Sequence, residues 1–260
     1  MKKSMKKKIF LSLCIATSAT ISGCTTFAGL AGADTQTLNV TATEGFNKTV
    51  QEARSKGTLD TSSSTYRRIF TVFNRLKPYA DQMNQTGIKF DWQLAVLKAD
   101  TVNAYVAPGG KVVFYTGIVN KLNLTDSEIA AIMGHEMVHA LEEHAKSKIG
   151  AQALTDLALG IGLSAAGVGE MGSAAAQLGS KVGIGLPYSR NLESRADQGG
   201  LMLMARAGYD PQAAITLWEK MNKLEGSSPA FLSTHPSNNA RIEAMRKNLP
   251  AAQAIYRNRK

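Results

Sequence analysis

The stretch GHEMVHALEEH, residues 134–144, constrains this 260-residue chain more than any other. On a helix, His135 and His139 are four residues apart, so they point the same way, one turn apart. Two imidazoles so placed can grip one metal ion from one side. Thr125-Asp126-Ser127-Glu128 reads as a capping box that opens such a helix. Ile129, Ile132, Met133 and Met137 supply its buried positions. Glu136 stands beside the first candidate ligand. In H-E-x-x-H enzymes that glutamate takes a proton from the water that the metal acidifies, and does not bind the metal. His144 lies nine residues past His135, about 180° around a continuous helix, and reads as a surface residue.

A histidine pair can also be structural and bind nothing. A catalytic zinc site needs a third protein ligand and an open position. YSRNLESRAD, residues 188–197, offers one. Glu193 and Asp197 are four residues apart on a helix predicted to run on through LMLMARAG. Glu193 can complete a two-His, one-Glu set. Asp197, one turn on, can fix the tautomer of a ligand histidine through its outer nitrogen. The fourth histidine, His235, sits in STHPSNNARI beside Pro236, before a helix expected near Ser237. It is a candidate either for donating a hydrogen bond to a developing oxyanion or for plugging the open metal position. Tyr188 is a weaker candidate for the oxyanion role. Arg241 is a candidate brace for this loop through an acidic partner.

The net charge of +10 suggests nucleic acid until its distribution is considered. Five lysines lie in MKKSMKKK, and no acid precedes residue 24. An apolar run of 13 residues follows, Ile9–Ile21, too short to span a bilayer but suited to a secretory leader. It ends in Ile21-Ser22-Gly23-Cys24, which resembles a bacterial lipobox. Residues 1–23 are therefore read as a leader and Cys24 as an acylated membrane anchor. Removing the leader lowers the charge to +5 and takes Cys14 with it. No thiol remains for a nucleophile or a thiolate metal site, and no nucleic-acid partner is expected. Thr25 stands where an aspartate would favour inner-membrane retention. The expected location is an outer-membrane lipoprotein of the cell envelope, facing the periplasm.

Residues 24–41 read as a flexible tether, and 42–260 as one domain. A short helix fits Glu44–Arg54. Tyr66, Ile69, Phe70, Phe73 and Leu76 are spaced for a second helix, with Pro78 and Gly87 punctuating its end. Alternation from Ile88 to Val96 predicts a half-buried strand. VNAYVA and KVVFYT bracket Pro108-Gly109-Gly110 as an antiparallel hairpin. Asn103–Ala107 is expected to be an edge strand that binds substrate, through Asn103, Ala104 and Tyr105. The chain after about residue 117 is helical in pattern. The fold class is therefore α+β, mostly helical, with a small antiparallel sheet beside the histidine helix. Residues 150–186 read as a packed or mobile helical pair, since the longest uncharged run, Leu157–Gly169, has 13 residues and is too short to span.

NAYVAPGG, GHEMVH, PYSRNLESRAD and THPSNNARI together resemble the HtpX and CAAX-prenyl-protease family of zinc metallopeptidases, most closely its soluble lipoprotein members. The likeness covers roughly residues 66–248. It implies a gluzincin domain, one Zn2+ per chain, and hydrolysis of peptide bonds in unfolded or misassembled polypeptides. Glu136 is then the base. The family usually carries a glutamate two residues after the third ligand, where this chain has Arg195. The competing expectation is a latent, zinc-bound chaperone or assembly factor.

Overall fold

The computed structural model describes residues 28, 32–158, 187–223, 230–236 and 239–258. The leader, Cys24, most of the 150–186 segment and Ser237 lie outside them. Helix α1, Thr35–Ser55, opens at Asp34, whose side chain accepts from Thr37 N. It therefore starts within the stretch read as tether and is longer than the Glu44–Arg54 helix expected. Strand β1, Leu59–Asp60, leads into helix α2, Ser64–Met83, capped by Ser63. Ile69, Val72, Phe73, Leu76 and Ala80 form its buried face, each large side chain contributing about 1.5–3 kcal/mol. Phe70 falls off that face, is 44% exposed and stacks on Tyr66. Pro78 lies inside the helix and does not end it.

Strands β2 (Gln93–Leu97), β3 (Ala104–Ala107) and β4 (Lys111–Tyr115) join β1 in one sheet, ordered β1-β2-β4-β3. The β3–β4 hairpin is antiparallel, with Tyr105 opposite Val113. Gly109 and Gly110 turn it at φ 72° and 85°, values that side chains avoid. The sheet is mixed, not purely antiparallel: β2 runs parallel to β4, pairing Gln93 with Lys111. The hairpin forms locally, and β2 reaches the other edge of β4 only by a crossover. Ladder pairing starts at Gln93. Residues 88–92 keep the alternation, burying Phe90 and Trp92, without joining the sheet. Because β2 is an interior strand, Ala95, Val96 and Leu97 are all buried, and the strand is not half-buried.

The rest of the described chain is helical: α3 (Thr116–Lys121), α4 (Asp126–Leu141), α5 (His144–Ala158), α6 (Arg190–Arg206), α7 (Gln212–Asn222), α8 (Ala230–Thr234) and α9 (Asn239–Asn258). Helix α4 is the hub. Every residue from Glu128 to Leu141 is buried, as expected of a helix covered all round. It packs on α2, α6, α7 and β3. Its closest neighbour is α6, and the reason is small residues at the crossing. A Cβ on Gly200 would lie 2.7 Å from His135 N, and one on Gly134 would lie 3.1 Å from Gly200 O. Only glycine lets these backbones meet. Among the described residues, no helix is long and apolar enough to cross a membrane.

Candidate metal centre

Helix α4 starts with the expected capping box. Thr125 accepts from Glu128 N, and the Glu128 carboxylate accepts from Thr125 N. Two and three turns later, His135 and His139 turn their Nε2 atoms toward each other at 3.0 Å. Helix α6, capped by Ser189, brings Glu193 against them. Its Oε1 lies 3.3 Å from His139 Nε2, and its Oε2 lies 3.6 Å from His135 Nε2. His235 follows α8, where its backbone N–H donates to Phe231 O. Its Nδ1 is 2.9 Å from Glu193 Oε1 and 3.2 Å from His135 Nε2. One ligand atom from each of His135, His139, Glu193 and His235 lies within 4.8 Å of the others. All four side chains are buried.

Three imidazoles and a carboxylate crowded out of water, with lone pairs converging, need a cation or shared protons to be stable. Among the described residues, His135 Nδ1, Glu193 Oε2 and Glu136 Oε1 are buried and make no well-directed hydrogen bond. The Arg241 guanidinium lies 2.6 Å from Glu193 Oε2, and His235 Nε2 lies 3.2 Å from Glu136 Oε1. Nitrogen and oxygen donors in this number are the donor set of a zinc ion.

Behind His135, Asp197 Oδ1 lies 3.0 Å from Nδ1. Arg241 donates to both Asp197 oxygens at 2.7 Å, to Pro236 O at 3.0 Å, and reaches Glu193 Oε2 at 2.6 Å. Its guanidinium lies over the Trp218 ring. Arg241 thus ties α9 to both acids of α6 and to the His235 loop. Burial opposes charge on His135, but the Asp197 hydrogen bond and the Glu193 charge outweigh it and raise its pKa. Burial would raise Asp197, yet Arg241 and His135 hold it below the usual carboxylate range.

Glu136 reaches the sheet. Its Oε2 accepts from Val106 N–H at 3.3 Å, and its Oε1 faces His235 Nε2 at 3.2 Å. Burial raises its pKa, partly offset by His235 and His135. Among the described strands, β3 is an edge, paired only with β4. Asn103 O accepts from Tyr115 N, so by alternation Ala104 and Val106 direct their backbone groups away from β4. The Asn103 side chain accepts from Ala104 N. The Tyr105 ring packs on the other sheet face, near Phe46 and Val50 of α1, where burial pushes its phenol up to about 12. Within the expected strand Asn103–Ala107 the Ala104 and Val106 backbones face this side, and of the three contact residues expected, Asn103, Ala104 and Tyr105, Ala104 does so through its backbone. Val106 lay within the expected strand but was not named as a contact residue, though the hairpin's alternation could have singled out its N–H.

Tyr188 stacks on the His139 ring, centroids 4.0 Å apart. His144 is not on the surface: it is 0% exposed, with Nδ1 2.9 Å from His139 Nδ1. The helix expected to be continuous breaks at Leu141, and Glu143 adopts a left-handed φ of 51°. That turn swings His144 back beneath His139.

Residues 67–249 match peptidase family M48. The chain belongs to peptidase family M48. It is 40% identical over 165 residues to the mitochondrial metalloendopeptidase OMA1 of Schizosaccharomyces pombe, covering 62% of this chain and 48% of that one. It is 29% identical over 205 residues to the metalloprotease LoiP of Escherichia coli K12, covering 77% of each. It is 26% identical over 189 residues to the beta-barrel assembly-enhancing protease of Yersinia pestis, covering 68% of this chain and 37% of that one. The chain spans about half of the first relative, whose full length is not represented here. M48 peptidases use zinc, which the donor set of the centre fits. The likeness read from the motifs and the family match agree.

Proposed function

We propose that this chain is a zinc-dependent endopeptidase in which His135, His139 and Glu193 hold the ion and Glu136 is the general base. One observation carries the reading: four buried donors from α4, α6 and the loop after α8 converge within 4.8 Å, with the buried Glu136 carboxylate beside them. A purely structural zinc site has no need of that carboxylate. When bound, zinc supplies Lewis acidity, making water more acidic and polarising a peptide carbonyl. Glu136 takes the proton of the attacking water and returns it to the leaving amine. The Val106 N–H orients one of its oxygens. Asp197 holds the outer nitrogen of His135, and Arg241 holds Asp197.

Strand β3 offers substrate its outward backbone carbonyls, those of Ala104 and Val106, while the matching N–H groups donate to the Asn103 and Glu136 side chains. An extended peptide that adds to a sheet edge makes loose sequence demands, which suits unfolded or misassembled polypeptides. A leader at residues 1–23 would direct export and be removed, and an acylated Cys24 would hold this domain at an envelope membrane. A relative named for enhancing β-barrel assembly supports that location.

The test pairs metal analysis with peptide cleavage. Wild type and Glu136→Gln should each bind one zinc per chain, and only wild type should cleave, with a chelator abolishing turnover. A Glu136→Gln protein that cleaves at the wild-type rate overturns the assignment.

A second reading rests on His235, which lies 2.9 Å from Glu193 and among the ligands. There it would serve as a further ligand when zinc is bound and keep the protein latent, as an assembly factor or chaperone would be. His235→Ala raises peptide hydrolysis under latency. It lowers hydrolysis, with zinc retained, where His235 donates to the oxyanion.

A further inference from the structure

The metal-facing nitrogen of His139 has an obvious use, and its other nitrogen leads elsewhere. His139 Nδ1 faces His144 Nδ1 at 2.9 Å, both rings fully buried. His144 Nε2 lies 3.1 Å from Glu142 Oε2, and Arg195 Nε lies 2.7 Å from that same oxygen. The row runs Arg195, Glu142, His144, His139, from half-exposed to buried.

The protons in this row can be counted. On the zinc reading above, which this inference rests on, His139 binds through Nε2 as a neutral ring. Its single proton then sits on Nδ1, and His144 Nδ1 is the atom that faces it. His144 must offer a lone pair there, so its own proton sits on Nε2. That proton donates to the Glu142 carboxylate, which Arg195 neutralises. Each link leaves one arrangement for the next. A row anchored by an arginine at one end specifies the tautomer at the other.

The backbone shows what it takes to place this row. On an uninterrupted helix, a residue five positions past His139 lies about 140° around the axis. Here α4 stops at Leu141, and Glu143 takes the left-handed conformation that side chains enter at a cost. His144 then begins α5 directly behind His139. Arg195 completes the row from α6, two residues past Glu193. A glutamate there, which the resembling family usually carries, would repel Glu142 where this arginine neutralises it.

We propose that His144 is a positioning residue for the metal centre, holding His139 in its zinc-binding tautomer through a row closed by Glu142 and Arg195. The test compares two substitutions of similar bulk. His144→Gln keeps an acceptor for the His139 proton, and His144→Leu has none. In chelator competition, His144→Leu should lose about 10–100-fold in zinc affinity, and His144→Gln should recover most of it. The melting temperatures of the two metal-free variants should be alike. In the zinc-loaded wild type, nitrogen-15 imidazole spectra should show a slowly exchanging Nδ1 proton on His139, lost in His144→Leu. Equal zinc affinity of the Gln and Leu variants overturns the proposal. Should His144→Leu not fold, Glu142→Leu against Glu142→Gln repeats the comparison at a half-exposed position. A smaller loss confined to Glu142→Leu is then expected, and equal affinities overturn the proposal. His139→Ala retaining a full zinc complement would instead remove the ligand assignment itself, so the two failures are distinguishable.

Discussion

The two ends of helix α4 use the same kinds of side chain for opposite purposes. At the N-terminal end, Thr125 and Glu128 bond each other's backbone, and Lys220 from α7 closes on Glu128 at 2.7 Å. Polar groups there satisfy the helix itself. At the C-terminal end, His135, Glu136 and His139 turn their polar atoms to partners on other elements, and the helix ends in a left-handed glutamate. One end is built for stability and the other for chemistry. The difference teaches that a helix can be locally well specified where it begins and yet depend on the whole fold where it acts.

Substitution should separate the two ends. The largest effect belongs to the ligands: alanine at His135, His139 or Glu193 should remove zinc and peptide cleavage together. Metal analysis that finds full occupancy in His135→Ala would break the comparison at its chemical end. Next comes Asp197→Ala, which leaves the buried Arg241 without its bidentate partner. It should cost about 3–5 kcal/mol in urea unfolding and weaken zinc binding as well. A variant of wild-type stability would show that the ion pair is not what holds α6 to α9. Gly200→Ala forces a Cβ to 2.7 Å from His135 N, and overpacking of this kind costs about 1–3 kcal/mol. It should also loosen zinc, because the crossing it widens sets the distance from Glu193 to the histidines.

At the opposite end, Thr125→Ala should cost about 1 kcal/mol and leave zinc content and cleavage unchanged. The same end carries a pH signature. Burial alone would raise Glu128, but Lys220 and Thr125 hold it below its ordinary value of 4.5. A depressed carboxylate stabilises the fold fully above that ordinary value and progressively less as the pH falls through the depressed one. Thermal melts of metal-free Glu128→Gln should therefore lose acid sensitivity below about pH 4.5. An unchanged acid limb would place that sensitivity elsewhere. The smallest effect is expected at the far end of the helix. Glu143→Gly relieves the left-handed φ of 51° and gives up surface contacts to Thr35 and Lys146, so stability should move by less than about 1 kcal/mol.

Local signals in the chain were enough for a good deal of this. The capping box, the four-residue spacings of His135 with His139 and of Glu193 with Asp197, and the hairpin around Pro108-Gly109-Gly110 each depend on residues a few positions apart. Backbone geometry alone carries such relations from sequence to structure. The Glu44–Arg54 helix came out short because its cap, Asp34, lies in a stretch whose composition suggested a tether. Phe70 fitted a helical spacing and still faces solvent, because periodicity does not say where the neighbouring helix will lie.

The amino-acid sequence by itself determined that one helix carries two histidines and a glutamate on a usable face, and that a second carries two acids one turn apart. Only the tertiary structure decided that these faces meet. That meeting needs Gly134 and Gly200 to bring two backbones together, and neither glycine differs in sequence from one in a loop. It needs Arg241 and His235, which stand 106 and 100 positions from His135, to return to it. It also turned His144 from the surface to the interior, because one left-handed residue reverses a direction that helical periodicity had assigned. The parallel pairing of β2 with β4 has the same origin. Register between distant segments follows from the packing of the whole core, and no spacing along the chain records it.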